Sequence, residues 1–305
     1  MSRRPIHIVL VAAHPADSFD QAGGTLAHHV DRGDRVTVLI ATTGVRSHHS
    51  RLQEEKRQGG AEFDIEARIK EAAVEKLEEV RNACRILGFD EVRDLGFEDD
   101  DVLLTQDKID AIAEEIRELK PDILIAEHPY EIAGHCMHAT VGQATLQAWQ
   151  IATGVGRGRQ VRHYVPSLFF MNPMAWTGNN SLGYAGTARV DLYVDISDVI
   201  EKKVQAVDYI TSQYYGGPYS RKRAEIEDGA YGNKSYTAYA EQFQSFFPLV
   251  RYTLPITQAE LDRIDESSET TLARRSDMAG GLLPLPPNMA FTTEHRIPKD
   301  KYVEE

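Results

Sequence analysis

The chain alternates short runs rich in Val and Ile with helix-type stretches, and this alternation restricts the possible folds more than any other feature. The runs are "IHIVLVAA", "RVTVLIATT", "EVRDLGF", "DILIAEH", "SLFFM" and "DLYVDIS". Each has the length and the β-branched content of a strand. Between the second and third, Ala73, Leu77, Val80, Cys84 and Leu87 recur at three- and four-residue steps and stop before Gly88. That spacing predicts an amphipathic helix with a glycine stop. "DKIDAIAEEIRELKPD" places Ile109, Ile112, Ala113, Ile116 and Leu119 on one face and ends before Pro121, a residue that disfavours helix in its predecessor. Together these segments predict an α/β fold, a Rossmann-like and mainly parallel sheet with helices on both faces. Beyond about Pro255 the composition turns polar, with "DESSETTLARRSD" and "LLPLPPN". We therefore assign residues 1–255 to the domain that carries the chemistry and 256–305 to a C-terminal extension or oligomerisation tail.

Acidic residues outnumber basic ones by 47 to 34, for a formal net charge of -13. Such a surface disfavours nucleic acid and anionic membranes and points to small soluble partners. Cys84 and Cys136 are the two cysteines; they form no CxxC pattern, which argues against a disulfide framework or a thiolate zinc knuckle and fits a reducing cytoplasm. No apolar run approaches the length of a membrane span. The basic and apolar start, "MSRRPIHIVLVAAHP", runs into a histidine turn where a signal peptide would have its cleavage site.

In open α/β sheets ligands bind beyond the carboxyl ends of the strands. The first strand leads to His14 and Asp17, the second to "TTGVRSHHSR", and the fourth to "EHPYEIAGHCMH". His14, Asp17 and a histidine from the last segment would supply two imidazoles and one carboxylate, leaving positions open for water and substrate as a catalytic zinc requires. By themselves His14 and Asp17 also suit a turn and cap before the helix near Gly23 and Gly24. His135 and His138 are three residues apart at the start of the helical pattern "HATVGQATLQAWQ", so they share a face. A lone pair of this kind is usually a pair of surface histidines; joined to His14 and Asp17 it favours a metal. Nucleotide binding is disfavoured, because Gly23-Gly24 lacks the G-x-G-x-x-G spacing and "ATGVGRGRQ" follows no strand.

The order strand, "AHPAD", "GGTLA", a second strand ending in "TTG", then "GHCMHATVGQA" and "YAEQF" resembles the PIG-L or LmbE-like zinc enzymes. The resemblance spans roughly residues 5 to 250. Most members are N-deacetylases of sugar-containing substrates. The resemblance implies His14, Asp17 and His138 as ligands of zinc or another divalent ion, and His135 as a group that stabilises a developing oxyanion. It also exposes departures. The deacetylases carry, just before the ligand aspartate, a second aspartate that takes a proton from the attacking water; here that residue is Ala16, and a methyl group accepts no proton. Ser18, Val45 and Met137 replace other acidic residues of the pattern.

One branch of the family, which this chain is similar to, has a small residue at the base position: the 4-oxalomesaconate hydratases, which add water to an unsaturated di- or tricarboxylic acid. "YAEQFQSFFP" is similar to that branch as well. Against its pattern, a glutamate position holds His48 and a histidine position meets "MNPM", with Asn172 and Met174. His48 is then the replacement proton carrier, since imidazole exchanges protons near neutrality; the alternative is an exposed histidine-rich loop. Arg46, Arg51, Arg221 and Arg223 are candidate clamps for substrate carboxylates, with solvated surface charge as the plain alternative. The leading expectation is a zinc-dependent hydratase of a small unsaturated carboxylic acid. A deacetylase or amidase with a replaced base, acting on an N-acyl substrate, is the rival, and a non-catalytic metal-binding scaffold is the third reading. The resemblance and the long tail point to a homo-oligomer.

Overall fold

A computed structural model describes residues 4–60, 63–101, 103–130, 136–156, 160–171, 173, 189–277 and 298–302. Its strands are β1 (His7–Ala12), β2 (Arg35–Thr42), β3 (Val92–Phe97), β4 (Ile123–Ala126), β5 (Ser167–Met171), β6 (Leu192–Asp195) and β7 (Ala240–Ser245). They form one sheet in the order β3-β2-β1-β4-β5-β7-β6. The first five in that order are parallel, while β7 runs antiparallel to both β5 and β6. The helices are α1 (Asp17–Asp31), α2 (Val45–His48), α3 (Ser50–Gly59), α4 (Ile65–Leu87), α5 (Gln106–Leu119), α6 (Cys136–Thr153), α7 (Ile200–Asp208), α8 (Pro218–Ile226), α9 (Asp228–Ser235), α10 (Gln258–Asp262) and α11 (Ser268–Arg275). The α/β expectation is met, with helices on both sheet faces.

β1 shows why its sequence is apolar without interruption. Ile8, Leu10 and Ala12 enter one core with Phe19 and Leu26 of α1, Val80 and Leu87 of α4, and Ile200 of α7. Val9, Val11 and Ala13 enter the other, with Ile109, Ile112 and Ile116 of α5 and Val141 of α6. A strand covered on both faces has no polar side to alternate with, and each buried aliphatic side chain contributes about 1.5–3 kcal/mol.

α4 departs from the predicted face. Its buried residues are Ala72, Lys76, Glu79, Val80, Ala83, Cys84 and Leu87, so the N-terminal half is turned away from Ala73 and Leu77. There it meets the polar segment 211–213: Glu79 accepts hydrogen bonds from Thr211 and Ser212, and Lys76 Nζ donates to Gln213 Oε1 at 3.0 Å.

β7 is the strand that Val and Ile content does not announce. Its Glu241 is buried because it accepts the N–H groups of Gly24 and Thr25, at 2.8 Å each, and pairs with Lys203 at 2.9 Å. A separate close approach explains Gly24 of α1: a Cβ there would lie 2.5 Å from Ile196. Described parts of the tail rest on the body, where Arg274 donates to the Tyr236 carbonyl and the Tyr302 hydroxyl to Asp195 Oδ2. Among the described residues no helix is long and apolar enough to cross a membrane.

Candidate metal centre

The turn from β1 into α1 is fixed from both sides. The Ala13 carbonyl accepts the backbone N–H and the hydroxyl of Thr42 at the end of β2, at 3.1 and 2.9 Å, while the Ala13 N–H donates to Glu127 Oε1 beyond β4 at 2.9 Å. His14 follows at once and is 1% exposed. Its backbone N–H donates to Asp17 Oδ2 at 2.8 Å, and its Nδ1 lies 3.1 Å from the same oxygen. Asp17 therefore closes the turn into α1 and also faces His14; the turn reading and the metal reading describe one arrangement. Gly44 of the "TTG" segment has φ +63°, and a Cβ there would stand 3.2 Å from His14 Cδ2 and 3.5 Å from Lys76 Nζ. Glycine is required there by conformation and by space.

His138, in the first turn of α6, brings its Nε2 to 3.3 Å from Asp17 Oδ2. One ligand atom each from His14, Asp17 and His138 lies within 4.8 Å of the others. Burial opposes charge on Asp17, but His138 and His14 outweigh it and hold the carboxyl well below its usual range. Burial lowers the pKa of His14 in turn, with Lys76 and His138 acting in the same direction against Asp17, which favours the neutral ring that a metal needs. Two imidazoles and a carboxylate held in its ionised form, converging on one point, fit zinc or a related divalent ion.

Around this triad the other sequence candidates take different places. The His48 ring lies 4.2 Å, centre to centre, from that of His14. Its Nδ1 is 2.7 Å from Ser47 Oγ, and Ser47 donates through both its N–H and its hydroxyl to Asp99 Oδ2, at 2.9 and 2.6 Å. His135 lies outside the described residues, as do Asn172 and Met174. Arg46 bonds Glu66 and Glu98. Arg221 bonds Asp208 and the Gly217 carbonyl. Arg223 is buried against Asp20, with Nε to Oδ1 at 2.6 Å, and against Glu227 at 3.3 Å. Arg51 is more loosely held: its Nη2 stands 3.8 Å from both Glu75 and Glu79, and its side chain is 41% exposed.

Two groups escape a reading based on the loops after the first, second and fourth strands. Asp99 follows β3. Lys76 sits inside α4, completely buried, and burial pushes its ammonium down to about 8 against the pull of Glu79, Asp17 and Asp99. Its signal was available, because Ala72, Lys76 and Val80 form an i, i+4 row in which a lysine replaces an apolar residue.

Residues 9–149 match the family model described as PIG-L: GlcNAc-PI de-N-acetylase. Diacetylchitobiose deacetylase of Thermococcus kodakarensis is 26% identical over 211 residues, which cover 68% of this chain and 70% of that protein. 4-Oxalmesaconate hydratase of Pseudomonas putida is 26% identical over 262 residues, 81% of this chain and 91% of that protein. The crystal structure of the 4-carboxy-2-hydroxymuconate hydratase of Pseudomonas putida superposes with a TM-score of 0.65 at 23% identity, covering 82% of this chain and 99% of that one. That likeness shows the fold.

Proposed function

Because the chain carries a PIG-L domain and has both a deacetylase and a hydratase among its relatives, we propose that it is a metal-dependent hydratase that adds water to a small unsaturated di- or tricarboxylic acid. The observation that carries this reading is Ala16. It directly precedes Asp17 and is 4% exposed, packed in the core beside Phe19, so a methyl group stands where the deacetylases resembling this chain place their base. Nearby carboxylates are engaged elsewhere: Asp20 by Arg223, Glu127 by the Ala13 N–H, and Asp99 by Ser47.

In this reading His14, Asp17 and His138 hold the divalent ion. When bound, the ion would stabilise negative charge on a carboxylate or enolate oxygen of the substrate. The chain supplies the rest. Lys76 and Arg51 offer positive charge to substrate carboxylates on the α4 side of the triad, and His48 exchanges the proton. Pairing with a substrate carboxylate favours the charged form of Lys76, opposing the effect of burial.

The test is a paired assay on the zinc-loaded protein. Hydration of 4-oxalomesaconate is followed through the loss of its conjugated absorbance, and acetate release is measured from diacetylchitobiose. The expected result is hydration without acetate release. Activity confined to the N-acetyl compound would overturn the proposal in favour of a deacetylase in which His48, beside His14, substitutes for the missing aspartate.

A further inference from the structure

Ser47, His48 and Asp99 form a hydrogen-bonded chain whose direction follows from donor counting. An ionised carboxylate only accepts, and a serine hydroxyl has one proton to give. Asp99, buried at 7% exposure just beyond β3, receives the Ser47 N–H at 2.9 Å and lies 2.6 Å from Ser47 Oγ. If Ser47 gave its proton to His48 instead, two oxygen lone pairs would face each other across that 2.6 Å. The hydroxyl proton therefore points to Asp99, and at the 2.7 Å contact with His48 Nδ1 the serine oxygen accepts.

We infer that Ser47 and Asp99 are positioning residues that hold His48 in the tautomer protonated on Nδ1, making Nε2 the accepting nitrogen of the ring. The surroundings preserve this arrangement. α2 is one turn long, starts from the left-handed Gly44 and is closed by the His48 N–H to the Gly44 carbonyl at 2.8 Å. Asp99 anchors it through two bonds to a single residue. The ring contact with His14 carries no tautomer preference. Fixing a tautomer through a second group is a known requirement where imidazole works as a base. Here the function of the device rests on the reading of His48 as the proton carrier, while the tautomer itself does not.

The test reads the tautomer directly. In metal-loaded protein labelled with nitrogen-15 at histidine, multiple-bond proton–nitrogen correlation spectra distinguish protonated from unprotonated ring nitrogens, and the His48 signals are those missing from His48→Gln. The expected pattern is a protonated Nδ1 and an unprotonated Nε2. Ser47→Ala should exchange the two shifts, and Ser47→Thr, which keeps the hydroxyl, should restore them. In the hydration assay Ser47→Ala should lower kcat by roughly 10-fold or more with KM unchanged, again restored by Thr. A wild-type His48 protonated on Nε2 would overturn the inference, and so would a Ser47→Ala spectrum unchanged from wild type. The wild-type spectrum decides even if Ser47→Ala does not fold. Failure of hydration with the expected tautomer present would count against the proposed function alone.

Discussion

Asp17 and Asp20 stand one turn apart on α1 and belong to two buried clusters built in opposite ways. Behind the helix, Asp20 meets Arg223, while Lys203 bridges Asp228 and Glu241 at 2.8 and 2.9 Å. Burial works against charge on Lys203, but Asp228 and Glu241 outweigh it and raise its pKa. Every anion there meets a cation or a backbone donor from this same chain. In front, Asp17 meets the imidazole of His14, whose pKa burial lowers, and that of His138, and three potential ligand atoms converge. The first cluster completes itself and ties α1, α7, α8, α9 and β7 together. The second is a set of potential ligands that, in the proposed reading, a cation from outside the chain would complete. Charge burial alone therefore does not mark a functional site; the balance between donors and acceptors does.

Two substitutions test that distinction from either end. Asp17→Asn removes the ionised ligand, so bound zinc measured after dialysis should fall well below one per chain and kcat/KM by at least about 10³-fold, with unfolding still cooperative. Lys203→Met leaves Asp228 and Glu241 buried without their shared cation, which should cost about 3–5 kcal/mol in urea unfolding. Its zinc content should be unchanged. If Lys203→Met lost the metal and kept its stability, the two clusters would be one functional unit.

The same contrast explains what the sequence disclosed. β1 and the first turn of α1 were legible because strand, His14 and Asp17 lie within eleven residues, and local spacing sets their geometry. The parallel strands were legible because cover on both faces demands continuous apolar runs. β7 was not: "AEQFQS" reads as polar until Glu241 is seen to accept N–H groups 216 and 217 residues earlier in the chain. The arginines show the same limit. A guanidinium announces that it can bind a carboxylate, but nothing local to Arg223 reveals that Asp20, 203 residues away, is the carboxylate beside it. Lys76 was hidden by an assumption about the helix face, since its row is buried by distant partners: Ala72 packs with Val45 and Leu52, and Lys76 is covered by segment 211–213.

Lys76 lies between the two kinds of cluster, and pH decides to which it belongs. Its pKa is pushed down to about 8 from 10.5 by burial. Below pH 8 both folded and unfolded chains carry the proton, and the fold bears the cost of burying it. Between pH 8 and 10.5 the unfolded chain binds more protons than the folded one, so stability rises with pH; above 10.5 neither form is charged. In chelator-treated protein, wild type should therefore gain on Lys76→Met across pH 8 to 10.5, by at most about 1.4 kcal/mol per pH unit for this one proton. Urea unfolding of both proteins at several pH values in that window measures the difference. Parallel curves would mean that Glu79, Asp17 and Asp99 hold the ammonium charged throughout. Lys76 would then be a paired cation like Lys203, and the positive charge offered to a substrate carboxylate would fall to Arg51.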